Sequence, residues 1–201
     1  METTLRTINQ IIACLFFICY AYQFIYIPVA LFKKRKPLPT AAPHRYAVLI
    51  AARNEQTVIG DLLDSLNRQS YDMSLVKTFV IADNCSDATS YVARQKGAVV
   101  YERFDRQYVG KGYALQALLE HIREDYPEGF DGYFVFDADN ILAPDYIERK
   151  NEMLSNGHEI VTSYRNSKNF GGNWISAGYA LWFLRESRYL NGARTRLGSS
   201  A

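Results

Sequence analysis

Cysteine is scarce, with three in 201 residues. Cys14 and Cys19 fall in one apolar run and Cys85 in a predicted loop, which excludes a disulfide framework and any cysteine metal-ligand spacing. A reducing compartment suits this pattern. Excess charge of one sign is also missing from the bulk of the chain: residues 1–36 hold five basic and one acidic residue, leaving 18 basic against 20 acidic beyond them. A folded part with that balance lacks the basic face of a nucleic-acid-binding domain, and nucleic acid is excluded as a partner. Internal repeats and low-complexity tracts are absent. Long apolar runs are limited to one, since the apolar part of residues 174–190 is too short to cross a bilayer and reads as a core or interfacial helix.

That one run, residues 11–32, carries no charge over 22 residues, roughly 33 Å at helical rise, which is enough to cross a hydrocarbon core. Gln23 and Pro28 are its awkward members, both tolerable in a membrane helix whose neighbours compensate. The run exceeds a signal-peptide core, and no small-residue cleavage site precedes Lys33-Lys34-Arg35-Lys36. An uncleaved anchor is therefore expected. With four basic residues after the run and a single Arg6 before it, the positive-inside rule places the chain beyond Lys33 in the cytoplasm, at the cell membrane. The same basic residues favour anionic lipid, so the bilayer is an expected partner.

Two prolines mark residues 38–43 as a linker. Beyond it, residues 46–51, 76–81, 98–101 and 133–136 read as strands, and 56–69, 87–96 and 111–126 as helices. Strands alternating with helices predict a mainly parallel sheet. Such sheets are buried on both faces, which accounts for the near-continuous apolar runs at 47–50 and 133–136.

Polar residues punctuate the predicted strand ends: Arg53-Asn54-Glu55 after the first, Asp83-Asn84 after the second and Asp137-Ala138-Asp139 after the fourth. In a parallel sheet these converge on the edge where ligands bind. Alternation along an extended chain sends Asp137 and Asp139 to one side, where both can offer oxygens to a hard cation such as Mg2+ or Mn2+. A cation there would neutralise a pyrophosphate and stabilise a departing nucleotide diphosphate. Two acids after a strand are more often solvated turn residues, so the motif draws its meaning from its neighbours.

Together with Gly110-Lys111-Gly112-Tyr113-Ala114-Leu115, these clusters give residues 44 to about 197 a resemblance to the processive-type family 2 glycosyltransferases of GT-A fold. That group contains the cellulose, chitin, hyaluronan and poly-N-acetylglucosamine synthases. The resemblance implies an α/β fold, a GT-A-type Rossmann-like parallel sheet flanked by helices. It also implies a UDP-sugar donor, UDP-glucose or UDP-N-acetylglucosamine, a glycan acceptor, and Mg2+ or Mn2+. The nucleotide-sugar site it implies comprises Ala51, Asn54, Glu55, Asp83, Lys111 and Asp137, with Asp137 and Asp139 on the metal.

Each residue also has a plain reading. Glu55 can accept hydrogen bonds from a ribose or base, or simply complement the dipole of the next helix. Asp83 corresponds to the acid that accepts from the uracil ring nitrogen, against an ordinary turn aspartate. Where the family has a second acid this chain has Ala82, so one nucleotide contact is absent. Asp87 reads as a helix N-cap, and His158 as a surface residue. Lys111, between two glycines at a predicted helix start, suits a phosphate, against a solvated lysine.

The mechanism that the resemblance implies is inverting transfer. Its carboxylate base belongs to a Thr-Glu-Asp-like motif, followed by a Gln-x-x-Arg-Trp motif, and neither occurs before Ala201. The expectation is thus a membrane anchor over 1–36, a linker over 37–43 and a nucleotide-sugar-binding domain over 44–201 that is incomplete at its C-terminus. No catalytic residue is expected within the chain, which alone should transfer no sugar. The expected whole is a membrane-anchored glycosyltransferase of polysaccharide synthesis. A sugar nucleotidyltransferase shares the element order and acidic residues but carries a glycine-rich first turn, which Ala51-Ala52-Arg53-Asn54 lacks. A noncatalytic nucleotide- or partner-binding membrane protein is the other alternative.

Overall fold

The computed structural model describes residues 2–32, 41–163, 165–166 and 171–198. The basic run at 33–36 and the first part of the linker lie outside the described residues. By packing, residues 38–159 form one compact unit, and residues 1–37 with 160–201 form another.

The larger unit is built on four parallel strands: β1 (Tyr46–Ala52), β2 (Val76–Asp83), β3 (Val99–Arg103) and β4 (Gly132–Asp137), in spatial order β3-β2-β1-β4. Helices α2 (Ile59–Asn67), α3 (Thr89–Gln95), α4 (Lys111–Asp125) and α5 (Tyr146–Ser155) succeed the four strands in turn. Strand β1 is central, paired with β2 from Tyr46↔Val76 to Ala52↔Ala82 and with β4 from Tyr46↔Gly132 to Ala51↔Asp137.

Both faces of β1 are covered, and its residues divide by parity because side chains of a strand alternate. Val48 and Ile50 join Val80, Phe136 and Ile147 under the α2 stripe Ile59, Leu62, Leu63 and Leu66. That stripe has the three-and-four spacing of a helix with one buried face. Ala47 and Leu49 join Phe79 and Ile81 under Ala114, Leu118 and Ile122 of α4.

Strand β4 departs from the sequence reading of a run buried on both faces. Tyr133 and Val135 are 49% and 51% exposed. The cause is position: among the described residues β4 pairs with β1 alone, and α4 packs over β1 and β2. Helices α2 and α3 also begin later than expected, because the residues before them are spent on loop-to-loop hydrogen bonds.

Gly132 faces the ring of Tyr46 across the β1–β4 pair, and a Cβ there would stand 2.8 Å from Tyr46 Cε1. The ring cannot swing aside freely, since its hydroxyl donates to Asn151 Oδ1 at 2.9 Å and it packs on Tyr71 and Phe134. Gly132→Ala should therefore cost about 1–3 kcal/mol, read as a lower urea midpoint at unchanged slope.

The second unit contains α1 (Glu2–Phe32), α6 (Trp174–Phe183), a π-helical segment (Leu184–Asn191) and α7 (Gly192–Leu197). Its stretch Thr3–Phe32 is long and apolar enough to cross a membrane, with mean hydropathy 1.9 over an 18-residue window. The last carbonyls of a helix have no partner inside it, and here those of Val29 and Ala30 accept from Arg196. Gln23, the polar interruption of the run, accepts from Arg185. Trp174, Ile175, Tyr179, Leu181 and Trp182 are exposed, so α6 is not the core helix that is one of its two sequence readings.

Candidate functional site

The strand order reverses direction at β1: the chain runs outward through β2 and β3 on one side and returns to β4 on the other. Ligands of open parallel sheets sit outside the strand carboxyl ends at such a switch point. The residues that end β1, β2 and β4 are those that the sequence singles out.

The turn after β1 and the loop after β2 are laced together. Asn54 and Asn84 adopt φ of 55° and 51°, a left-handed conformation that asparagine tolerates better than most residues. Asn54 Oδ1 accepts from Ser86 N at 2.8 Å, and Ala88 N donates to Gln56 Oε1 at 2.9 Å. Glu55 N donates to the buried Thr89 hydroxyl at 2.8 Å, and Gln56 N to Asp87 Oδ2 at 3.1 Å. Asp87 Oδ1 accepts from Thr89 N at 3.0 Å, but the N-cap of α3 is Ala88, so Asp87 braces the turn before the helix instead of capping it as its sequence position predicts. Burial raises the Asp87 carboxyl, but the hydrogen bonds from Thr89 and Gln56 outweigh it and hold the group below its usual range.

This lattice sorts the first predicted cluster. Asn54 has its side chain engaged in shaping the turn. The Glu55 carboxylate accepts no hydrogen bond among the described residues. Ala51 lies within β1, its methyl packed on the α4 side, between Ile81 and Asp137 in the sheet register.

Asp83 ends β2 and is 4% exposed. Its partner is Arg103, opposite it at the end of β3, whose Nη1 lies 2.6 Å from Asp83 Oδ1. Asn84 Nδ2 donates to the same oxygen at 3.1 Å. Arg103 Nη2 continues to Asp105 Oδ2 at 2.8 Å and to the Tyr108 carbonyl at 2.7 Å. The Asp105 carboxyl lies below its usual range, first through the N–H groups of Tyr108 and Gln107 and then through Arg103. The sequence reading does not name Arg103. No local signal marked Arg103, which lies two residues beyond the strand predicted over 98–101 and closes the observed β3.

Lys111 opens α4 behind Gly110, whose φ of 135° is strained for any residue with a Cβ. Its ammonium pairs with the Asp137 carboxylate, joining the third predicted cluster to the fourth. Asp137 is the last residue of β4, and Asn140 N donates to its carbonyl at 3.0 Å. The chain therefore turns at once instead of staying extended through Asp139. Asp137 and Asp139 are nonetheless exposed on either side of the buried Ala138, and Asn140 Nδ2 reaches Asp139 Oδ1 at 3.2 Å.

Asp83 does not join Asp137 and Asp139 in one cluster, and no group of three metal-ligating side chains occurs among the described residues. Strands β2 and β4 flank β1, so their ends stand two strand spacings apart, about 10 Å. Two exposed carboxylates fit Mg2+ or Mn2+ when phosphate and water complete the shell, because such ions use one or two carboxylates plus substrate phosphates. They do not make an all-protein cage.

The architecture is that of a GT-A-like α/β domain with polar strand ends at its switch point. Residues 43–197 match the family model "Glycosyltransferase like family 2", and the chain belongs to that family. It is similar to a 4,4'-diaponeurosporenoate glycosyltransferase of Staphylococcus haemolyticus (strain JCSC1435), 38% identical over 72 residues, which are 34% of this chain and 18% of the relative. In structure it is similar to the mannosyltransferase PcManGT from Pyrobaculum calidifontis, with a TM-score of 0.56 and 20% identity over 71% of this chain and 43% of that one. The match therefore spans less than half the length of either relative.

Proposed function

We propose that this chain binds a nucleotide-diphosphate sugar at the carboxyl edge of its sheet and serves a membrane-anchored, UDP-sugar-dependent glycosyltransferase. The observation that carries this reading is the meeting of Lys111 and Asp137 at the switch point, with Asp83 ending the strand on the far side of β1. A nucleotide laid across β1 would put its base toward Asp83 and its diphosphate toward Lys111 and Asp137. Family membership supports the reaction class, and PcManGT, which was solved with GDP-Man and Mn2+, supports a nucleotide sugar and a divalent cation.

Asp137 and Asp139 would hold Mg2+ or Mn2+, which when bound supplies charge stabilisation to a leaving diphosphate. The Lys111–Asp137 pair is about half exposed on both sides, so it is weak and easily exchanged. Lys111, released from Asp137, would then offer its ammonium to the diphosphate beside the free N–H groups that open α4. Glu55 would accept hydrogen bonds from the ribose. Helix α1 would anchor the domain with the site toward the cytoplasm, and a glycan of an exported or surface polysaccharide would be the acceptor.

Calorimetric titration of the full chain in detergent with UDP, with and without Mn2+, tests this reading. UDP should bind at least about tenfold more tightly with Mn2+. Equal affinity in the two arms would count against the two carboxylates as a cation site.

A further inference from the structure

Arg103 gathers three acceptors on a side chain that is 14% exposed: Asp83 Oδ1 at 2.6 Å, Asp105 Oδ2 at 2.8 Å and the Tyr108 carbonyl at 2.7 Å. Asn84 supplies a second donor to the same Asp83 oxygen. Both hydrogen bonds fall on Oδ1. Oδ2 accepts none among the described residues, yet it is not a sealed, unsatisfied atom and so meets solvent. A carboxylate that could present two oxygens outward thus presents one.

We infer that Arg103 is a specificity-determining positioning residue, which turns Asp83 into a single-acceptor reader and so selects uracil over guanine. Uracil presents one ring N–H between two carbonyls, and a lone outward oxygen suffices for it. Guanine presents a ring N–H beside an amino group, a pair that calls for both oxygens of a carboxylate. With Oδ1 held by Arg103 and Asn84, the second donor of guanine would be left unpaired, and a site built around hydrogen bonds discriminates strongly on that basis. Arg103 also grips Asp105 and the Tyr108 carbonyl in the loop between β3 and α4. This inference rests on the donor-site reading above.

The experiment uses the full chain in detergent with Mn2+ throughout, titrated with UDP, GDP and inorganic pyrophosphate. The unaltered protein should prefer UDP over GDP by at least about tenfold. Arg103→Met should lower UDP affinity about tenfold, bring it near that of GDP, and leave pyrophosphate affinity unchanged. Arg103→Lys keeps a charge without the fork, and should restore folding with an intermediate base preference. It also carries the test if the Met variant does not fold. A UDP-to-GDP ratio unmoved in both variants would overturn the inference. So would a parallel loss of UDP, GDP and pyrophosphate binding with the melting temperature, the mark of a merely structural pair. If UDP binding is lost in Asp83→Asn while the Arg103 variants behave as the unaltered chain, the donor site stands and the role of Arg103 alone falls. If the unaltered chain binds neither UDP nor pyrophosphate, the donor-site reading itself is wrong, and this inference falls with it.

Discussion

Asp139→Ala is expected to weaken UDP binding in the presence of Mn2+ about 100-fold, about 2.7 kcal/mol, and to leave metal-free binding within about twofold. The contrast arises from the division of partners at the end of β4. Asp137 already holds the Lys111 ammonium, whereas Asp139 meets the neutral amide of Asn140. Removing Asp139 deletes one of two carboxylates without liberating a cation. Asp137→Ala, by contrast, also frees Lys111 to pair with the diphosphate, and its net loss should be smaller. Calorimetry of the two variants against UDP, each with and without Mn2+, separates these cases. An unchanged Mn2+ dependence in Asp139→Ala would remove it from the cation site.

Phe79→Ala should produce the largest loss of stability, about 3–5 kcal/mol. The side chain is fully buried in β2, between β1 and β3, with ring centroids 5.1 Å from Tyr126 and 5.8 Å from Phe130. Truncation leaves a hole between the sheet and the layer headed by α4, where rigid neighbouring rings and strands limit collapse. Domains of this kind have a total stability of about 5–15 kcal/mol, so the variant should lose a large share of it. Because β2 carries Asp83, nucleotide binding should fail at temperatures where the unaltered chain still binds. Urea unfolding monitored by far-ultraviolet circular dichroism measures the difference. A cost below about 1 kcal/mol would contradict the tight packing described for this layer.

The positions of strands and helices are largely legible in the chain itself, because a buried strand is a short apolar run and α2 is a stripe at 59, 62, 63 and 66. The polar strand ends are legible for the same reason, as charge breaking an apolar run. The edge placement of β4 is not, since Tyr133-Phe134-Val135-Phe136 looks as buried as Ala47-Val48-Leu49-Ile50. Late helix starts are hidden too, because Gln56 and Asp87 suit a helix and are instead drawn into bonds with each other's loops. Arg103 is hidden because its meaning lies in Asp83, 20 residues away.

Composition and local pattern therefore specify the elements, the apolar helix at the N-terminus and the polar residue types at the strand ends. They do so because burial and backbone geometry impose periods of two and 3.6 residues that any short window displays. Strand order, the switch point at β1, the pairing of Lys111 with Asp137 and the hold of Arg103 on Asp83 belong to the folded chain. Each joins segments distant in sequence, and which of them meet depends on how whole layers pack.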